Sequence, residues 1–297
     1  MRPADDIIVD PEVTSETIDI AYEQWSNQRS RLEKLKRYYM GDHDFSDSHE
    51  NKVVANHCRY ITDVLVGYQF GNEPRYTTDE NDVYGQEIID IMKAQDKWAV
   101  DQQIGEDISI YGKAFELVYL PEGKNEPTSI AIDPLHAFVA YAGNIERDSV
   151  FGAVVSSYMG NDRKERFIAY IYDTQFVSVW ETDSASSNPR TWKPIHTPVP
   201  HGFGRVPLIE YKNNRWMTSD FEGVIPLQDA YNAMLSDRAD NQDSFAQAML
   251  MLSGGQIIGT STDEINEGRK TLKDHKVLHH APRNYHTLLS QDHDRIW

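Results

Sequence analysis

Apolar positions along the first third of the chain recur at helical spacing. Ile18, Tyr22, Trp25, Leu32, Leu35 and Tyr39 are three, four or seven residues apart, one stripe on one helix. Thr14 precedes it as an N-cap, Glu16 sits in the first turn, and Gly41 supplies a stop. A second stripe, Val54, Cys58, Ile61, Leu65 and Tyr68, ends among Gly67, Gly71 and Pro74. Helical patterns continue through Val83 to Met92 and through Val100, Ile104, Ile108 and Tyr111. At Gly112 the period changes. Segments 114–120, 129–132, 151–158, 167–172, 176–181 and 206–212 are short and rich in aromatic and β-branched residues, with turns such as 121–125 between them. They predict antiparallel meanders, so the expected fold class is α+β. Residues 183–205, rich in Ser, Pro and Gly, predict a long loop.

Pro226 then opens a helix, and neither glycine nor proline interrupts the chain from Leu227 to Leu252. As one helix this stretch would be about 40 Å long. Leu227, Tyr231, Met234, Leu235, Phe245, Met249 and Leu252 fall within about 100° of arc, and Asp229, Asp237, Asp240 and Asp243 lie on the opposite side. Two readings fit: a surface helix with a solvated acidic face, or a strut in a ring whose acidic face looks at something it must not bind. Residues 256–259 follow as a short strand and 263–272 as a helix. The apolar end at Ile296 and Trp297 suggests that more protein follows, or once followed.

Charge narrows the partners. Among 297 residues, 29 are Lys or Arg and 47 Asp or Glu, a formal charge of −18. Residues 1–110 carry −12, residues 111–254 carry −6, and residues 255–297 are neutral. Such a surface repels a phosphate backbone rather than gripping it. The single cysteine excludes a disulfide framework and a classical zinc finger. No apolar run reaches the ~18 residues of a membrane span, and residues 1–10 lack a signal-peptide pattern.

Candidate chemistry is sparse. Asp42, His43, Asp44, Asp47, His49 and Glu50 are the densest set of potential metal ligands, and a metal-dependent nuclease or phosphoesterase would use such groups. Crowded into one loop, they equally suit a solvated turn. Gly202 and Gly204 begin a dinucleotide-like spacing, but Pro207 replaces the third glycine and a strand follows. Cys58 lies on an apolar stripe and suits a core. Arg269, Lys270, Lys273 and Lys276 lie near His275, His279, His280, His286 and His293; partial protonation of those histidines would make a modest cationic surface, which fits contact with DNA or an acidic protein about as well as plain exposure. No cofactor motif is present, and the inventory favours a structural protein over an enzyme.

Five blocks, in order, resemble the portal (connector) proteins of tailed bacteriophages, in the branch found in long-tailed phages of Gram-positive bacteria. They are Arg37-Tyr38-Tyr39-Met40-Gly41-Asp42-His43, Asn51-Lys52-Val53-Val54-Ala55-Asn56, Asp63-Val64-Leu65-Val66-Gly67-Tyr68-Gln69-Phe70-Gly71, Gly204-Arg205-Val206-Pro207-Leu208-Ile209-Glu210-Tyr211, and Leu227-Gln228-Asp229-Ala230-Tyr231-Asn232 with Ser236-Asp237. The resemblance implies a ring, commonly of twelve copies, at one capsid vertex, through which double-stranded genome DNA passes during packaging and ejection without sequence-specific binding. It implies partners in the terminase, the major capsid or scaffolding protein and the head-completion adaptor. The implied location is the virion, and the host cytoplasm during assembly, with no membrane, cofactor or catalysis. Another head-to-tail adaptor is the nearest structural alternative.

On this analogy residues 1–111 are the helical part of a wing, 112–225 its β-rich part, 226–254 a stem helix and 255–297 the start of a clip. Portals of this branch are usually much longer, with a second stem helix, a DNA-touching loop and a crown still to follow. The expectation is then that Asp229, Asp237, Asp240 and Asp243 face the channel. The stripe Leu227, Tyr231, Met234, Leu235, Phe245, Met249 and Leu252 packs subunits, and Arg269, Lys270, Lys273 and Lys276 make clip contacts. One carboxylate about 10 Å from a phosphate costs only ~0.4 kcal/mol in water. Repeated around a ring, such terms centre a duplex without trapping it.

Overall fold

The structure, a computed structural model, describes residues 6–44, 50–79, 81–160, 163, 165–182, 190–247, 250–253 and 277–280. The chain divides into two compact units, Met1–Asp44 with Val54–Ala230, and Phe45–Val53 with Tyr231–Trp297. The first unit takes in residues 112–225 and most of 1–111, while 45–53 fall in the second.

Helix α1 (Ser15–Met40) starts as the sequence predicts. Thr14 and Thr17 exchange side-chain and backbone bonds in a capping box, and Gly41 closes the helix at φ 86°, a conformation that favours glycine. Its apolar stripe serves two cores. Ile18, Ala21, Tyr22 and Trp25 pack on a large sheet, and Leu32, Leu35 and Tyr38 pack among the following helices. Those helices are α2 (His57–Phe70), capped by the Asn56 side chain, α3 (Val83–Ala94), capped by Asp82, and α4 (Lys97–Tyr111), closed by Gly112 at φ 81°.

The large sheet contains β1 (Ile7–Val9), β4 (Ala137–Ala142), β5 (Ser149–Met159), β6 (Glu165–Tyr172) and β7 (Phe176–Thr182) in the order β1-β4-β5-β6-β7. Two short strands, β8 (Lys193–Pro194) and β9 (Val199–Pro200), pair with the outer edge of β7. From β4 to β7 the strands form an antiparallel meander, and β1 joins β4 in parallel. The small sheet places β2 (Lys113–Tyr119) between β3 (Thr128–Ile132) and β10 (Leu208–Lys212), all antiparallel. The described residues thus contain mixed helix and antiparallel sheet, the expected α+β class.

Alternation along the strands sorts the cores. Phe138, Phe151, Ala153, Val155 and Ile171 face α1, where the Trp25 and Phe138 rings lie 5.5 Å apart. Residues of opposite parity, among them Val139 and Val154, meet Phe115, Leu117 and Leu208 of the small sheet. Each fully buried large side chain contributes about 1.5–3 kcal/mol by removal from water.

Residues before and after 111 pack together, because α1 and β1 share the core of β4–β6. Sequence pattern missed β1 and β4. β1 has only three residues, and β4 reads Ala-Phe-Val-Ala-Tyr-Ala, buried on both faces and rich in alanine. Such a strand shows no polar alternation, and its three alanines dilute the β preference of Phe138, Val139 and Tyr141.

The 3-10 turn Glu222–Val224 leads into α5 (Ile225–Gln247), where Ile225 still belongs to the first unit's core. The helix expected to reach 254 stops at Gln247, and Leu252 instead lies in β11 (Leu250–Ser253), paired in parallel with β12 (Val277–His280). A run such as Leu-Met-Leu suits either state, and a partner more than twenty residues away decided it. The expected elements at 256–259 and 263–272 lie outside the described residues.

Close approach of the two sheets depends on Gly152, where an added Cβ would lie 2.5 Å from the Leu208 Cβ. Gly152→Ala should therefore cost about 1–3 kcal/mol. Denaturant titration should show this loss, and Leu208→Gly in the same chain, which removes the clashing Cβ, should make the added cost of the Gly152 change smaller.

Candidate functional site

Helix α5 is the element on which the functional expectation rests, and its two sides are used in an unexpected way. In the first unit, Gln228 is buried: its Nε2 donates to the Ala55 carbonyl at 2.7 Å, and its Oε1 accepts from the His57 N–H at 3.2 Å. Asp229 accepts from the Tyr38 hydroxyl, its oxygens 2.9 and 3.0 Å away. In the second unit, Asn232 and Ser236 are buried, and the Ser236 Oγ accepts from the Val53 N–H at 3.0 Å. Asp240 accepts from the Asn51 N–H and Asp243 from the Asn51 Nδ2, each at 2.8 Å.

Gln228, Ser236, Asp240 and Asp243 thus meet groups of the 51–57 segment, and Asp229 meets Tyr38. Gln228, Asn232, Ser236 and Asp240 are spaced by four, one row on a helix. That spacing was the available signal for the buried row, which the sequence reading passed over in favour of the aspartates alone.

The apolar side is the uncovered one. Leu227 in the first unit is 71% exposed; Met234 and Phe245 in the second are 69% and 85% exposed. Tyr231 is also exposed and Leu235 half-buried. Leu252 belongs to β11, and Met249 lies outside the described residues. All four aspartates expected to look outward interact with their own chain, Asp229, Asp240 and Asp243 through hydrogen bonds from Tyr38 or Asn51, and Asp229 and Asp240 are half-buried. Asp237 and Asp243 keep exposed side chains. Arg269, Lys270, Lys273 and Lys276 lie outside the described residues.

The block from Arg37 to His43 acquires a physical role. Tyr38 is fully buried, and its ring stacks on His43 at 4.7 Å between centroids. A His43 ring nitrogen meets the Tyr38 carbonyl oxygen at 2.9 Å. Burial, then the bond to Asp229, pushes the Tyr38 phenol well above the ordinary tyrosine range. Asp44 also approaches the Tyr38 hydroxyl, at 3.2 Å, and its ion pair with Arg37 holds its carboxyl below the usual value. Gly41 allows the chain to double back so that His43 reaches the ring.

His43 and Asp44, two members of the expected metal-ligand set, are thereby engaged in packing and an ion pair. Asp47 and His49 lie outside the described residues, and no group of three potential ligands occurs among the described ones. Cys58 is buried, and burial, then the Asp229 charge, pushes its thiol up to about 11, which suits core packing.

The family model described as "Phage portal protein, SPP1 Gp6-like" matches residues 18–295. The chain belongs to that portal family. The portal protein of Bacillus phage SPP1 is 30% identical over 122 residues, which cover 38% of this chain and 24% of the relative. The match thus spans about a quarter of the curated relative's length. Among the described residues of this portal-family chain, no helix is long and apolar enough to cross a membrane.

One further group is strongly perturbed. Asp107 of α4 lies beside a cavity of about 320 Å³ that Lys36, Tyr39, Glu106 and Asp133 also line. Burial, then the charges of Asp133 and Glu106, raises its carboxyl to about 8. Folding therefore binds a proton here. The stabilisation is complete below about pH 4 and is lost as pH rises towards about 8.

Asp107→Asn should stabilise the protein increasingly between pH 5 and 8, by about 1–3 kcal/mol at the upper end, as thermal melts across that range would show. Tyr38→Phe leaves the Asp229 carboxylate without its buried donor and should cost about 1–3 kcal/mol. Asp229→Asn should recover part of that loss in the double variant, as read by denaturant unfolding.

Proposed function

We propose that this chain is the subunit of a phage portal: a ring at one capsid vertex that serves as a passive conduit for genome DNA and as a docking platform for the terminase and head-completion proteins. Membership of the portal family supports this reading. The observation that carries it is the reversed use of α5, whose buried row is polar while Met234 and Phe245 lie exposed. Large apolar side chains on one helix side attract a neighbouring surface, and in a homo-oligomer that surface belongs to another copy.

The acidic charge supports the conduit. A channel wall that released counterions would gain affinity and stall the strand. Asp237 and Asp243, exposed on α5, are the carboxylates positioned to meet a passing duplex. Asp229 and Asp240 contribute their charge from behind bonds to Tyr38 and Asn51.

Negative-stain imaging and native mass measurement of the purified chain should show rings with a central hole, twelve-fold in the preferred case. The doubly neutralised variant Asp237→Asn with Asp243→Asn should retain more DNA in assembled rings at low salt. A chain that stays monomeric with or without capsid components would overturn the portal reading. Rings with unchanged DNA retention would overturn the role of the carboxylates alone.

A further inference from the structure

Strand β1 lies at one end of the large sheet, with β4 beside it in the strand order. Three residues pair there, Ile7, Ile8 and Val9 with Ala140, Tyr141 and Ala142, more than a hundred residues later in the chain. So short and so distant a pairing holds a strand weakly by itself. Further contacts hold this one. Ile7 and Val9 enter the core between the sheet and α1, where both are buried. The Ile8 N–H donates to the Gln24 Oε1 at 3.1 Å, and the Ile8 carbonyl accepts from the Gln24 Nε2 at 3.0 Å. Asp6 accepts from the Lys212 Nζ at 2.5 Å, with the Arg147 Nη1 3.6 Å away.

The Gln24 contact is the unusual one. Ile8 turns both backbone groups away from β4, and the Gln24 amide, a donor and an acceptor side by side, meets them as the peptide group of a further strand would. A side chain of α1 thus closes an edge that would otherwise be open to strand addition.

Burial of two β-branched side chains and the ordering of residues 6–9 are opposing effects of similar size. The two bonds of Gln24 and the ion pair of Asp6 therefore decide whether the segment stays seated. The chain also has a place to bend. The Thr17 Oγ1 donates to the Glu12 carbonyl at 2.7 Å and anchors the chain ahead of α1, while Asp10, Pro11 and Glu12 are exposed. A hinge between Val9 and Glu12 releases residues 6–9 and leaves the Thr14 cap of α1 intact.

We propose that the groove between β4 and Gln24 is a receptor site for an extended peptide segment, an acidic residue with β-branched residues one and three positions after it, and that residues 6–9 fill it as a detachable strap with Gln24 as the positioning residue. Each feature of the segment has its reader. Lys212 and Arg147 meet the carboxylate, the α1 core takes the two alternate side chains, and β4 and Gln24 pair with the backbone from either side. When the strap lifts, β4 becomes an open edge to which a segment of the same pattern adds by backbone pairing. The site is a property of the single chain and stands apart from the ring reading.

Hydrogen exchange of the full chain tests the strap. The amides of residues 7–9 should exchange at least about tenfold faster than those of β5 and β6, and Gln24→Leu should speed them at least about tenfold again with β5 and β6 unchanged. Gln24→Glu, which keeps the acceptor for the Ile8 N–H and loses the donor, should fall between. The receptor site is tested in a full chain carrying Ile7→Ser and Val9→Ser, whose own strap no longer fits. A fluorescent synthetic peptide of residues 4–12 should bind this variant at least about tenfold more tightly than wild type, because the groove is vacant, and adding Gln24→Leu should abolish the gain. Exchange of residues 7–9 at the rate of β5 and β6 in the wild type would overturn detachment. So would a strap variant that loses protection throughout β5 and β6. A variant that keeps this protection and binds no peptide would overturn the receptor site, as would equal binding of a peptide with both alternate apolar residues changed to serine. Peptide binding indifferent to Gln24→Leu would overturn the role of Gln24.

Discussion

A helix packed on a folded chain buries one side, and α5 buries its polar side. That choice governs the functional part of the molecule. Gln228 and Ser236 are held by backbone groups of the 51–57 segment, so the cost of burying them is offset by those hydrogen bonds. The consequence is that Leu227, Met234 and Phe245 are left outward. In most monomeric proteins this arrangement would be reversed. Here it is the physical argument for a second copy, independent of the family to which the chain belongs.

The same economy explains the block around Tyr38. α1 ends in a glycine turn, the chain folds back, and His43 covers the Tyr38 ring while Asp229 accepts from its hydroxyl. One buried phenol thus joins the end of α1, the following loop and the first turns of α5. None of these groups needs to react. Cys58 lies in the same core, with a thiol that burial keeps protonated. What could be taken for candidate chemistry in a loop rich in His and Asp is, for His43 and Asp44, part of the fastening around Tyr38 and Asp229.

Much of the scaffold was legible from spacing. The caps of α1, the four helices before residue 112 and the change to strands there follow from periodicity and from Thr14, Gly41 and Gly112. Strand β4 was hidden because both of its faces are buried and half of its residues are alanine. The exposed side of α2 was misjudged for a related reason: Tyr68 continues an apolar stripe in sequence yet is exposed, because α2 packs through Cys58 and Thr62. Periodicity gives the direction of a stripe, and neighbouring elements decide which of two similar stripes is covered.

At α5 the division is sharpest. Sequence alone determined that a long uninterrupted helix begins near Pro226, and that its apolar and acidic residues fall on opposite sides, since both follow from local backbone geometry. Only the tertiary structure decided which side the chain itself would cover. That depended on the backbone donors of Asn51, Val53 and His57, well over a hundred residues earlier, which meet the helix through the fold and leave no trace in local spacing. It also depended on Val277–His280, whose pairing drew Leu250–Ser253 into a strand where local pattern continued a helix.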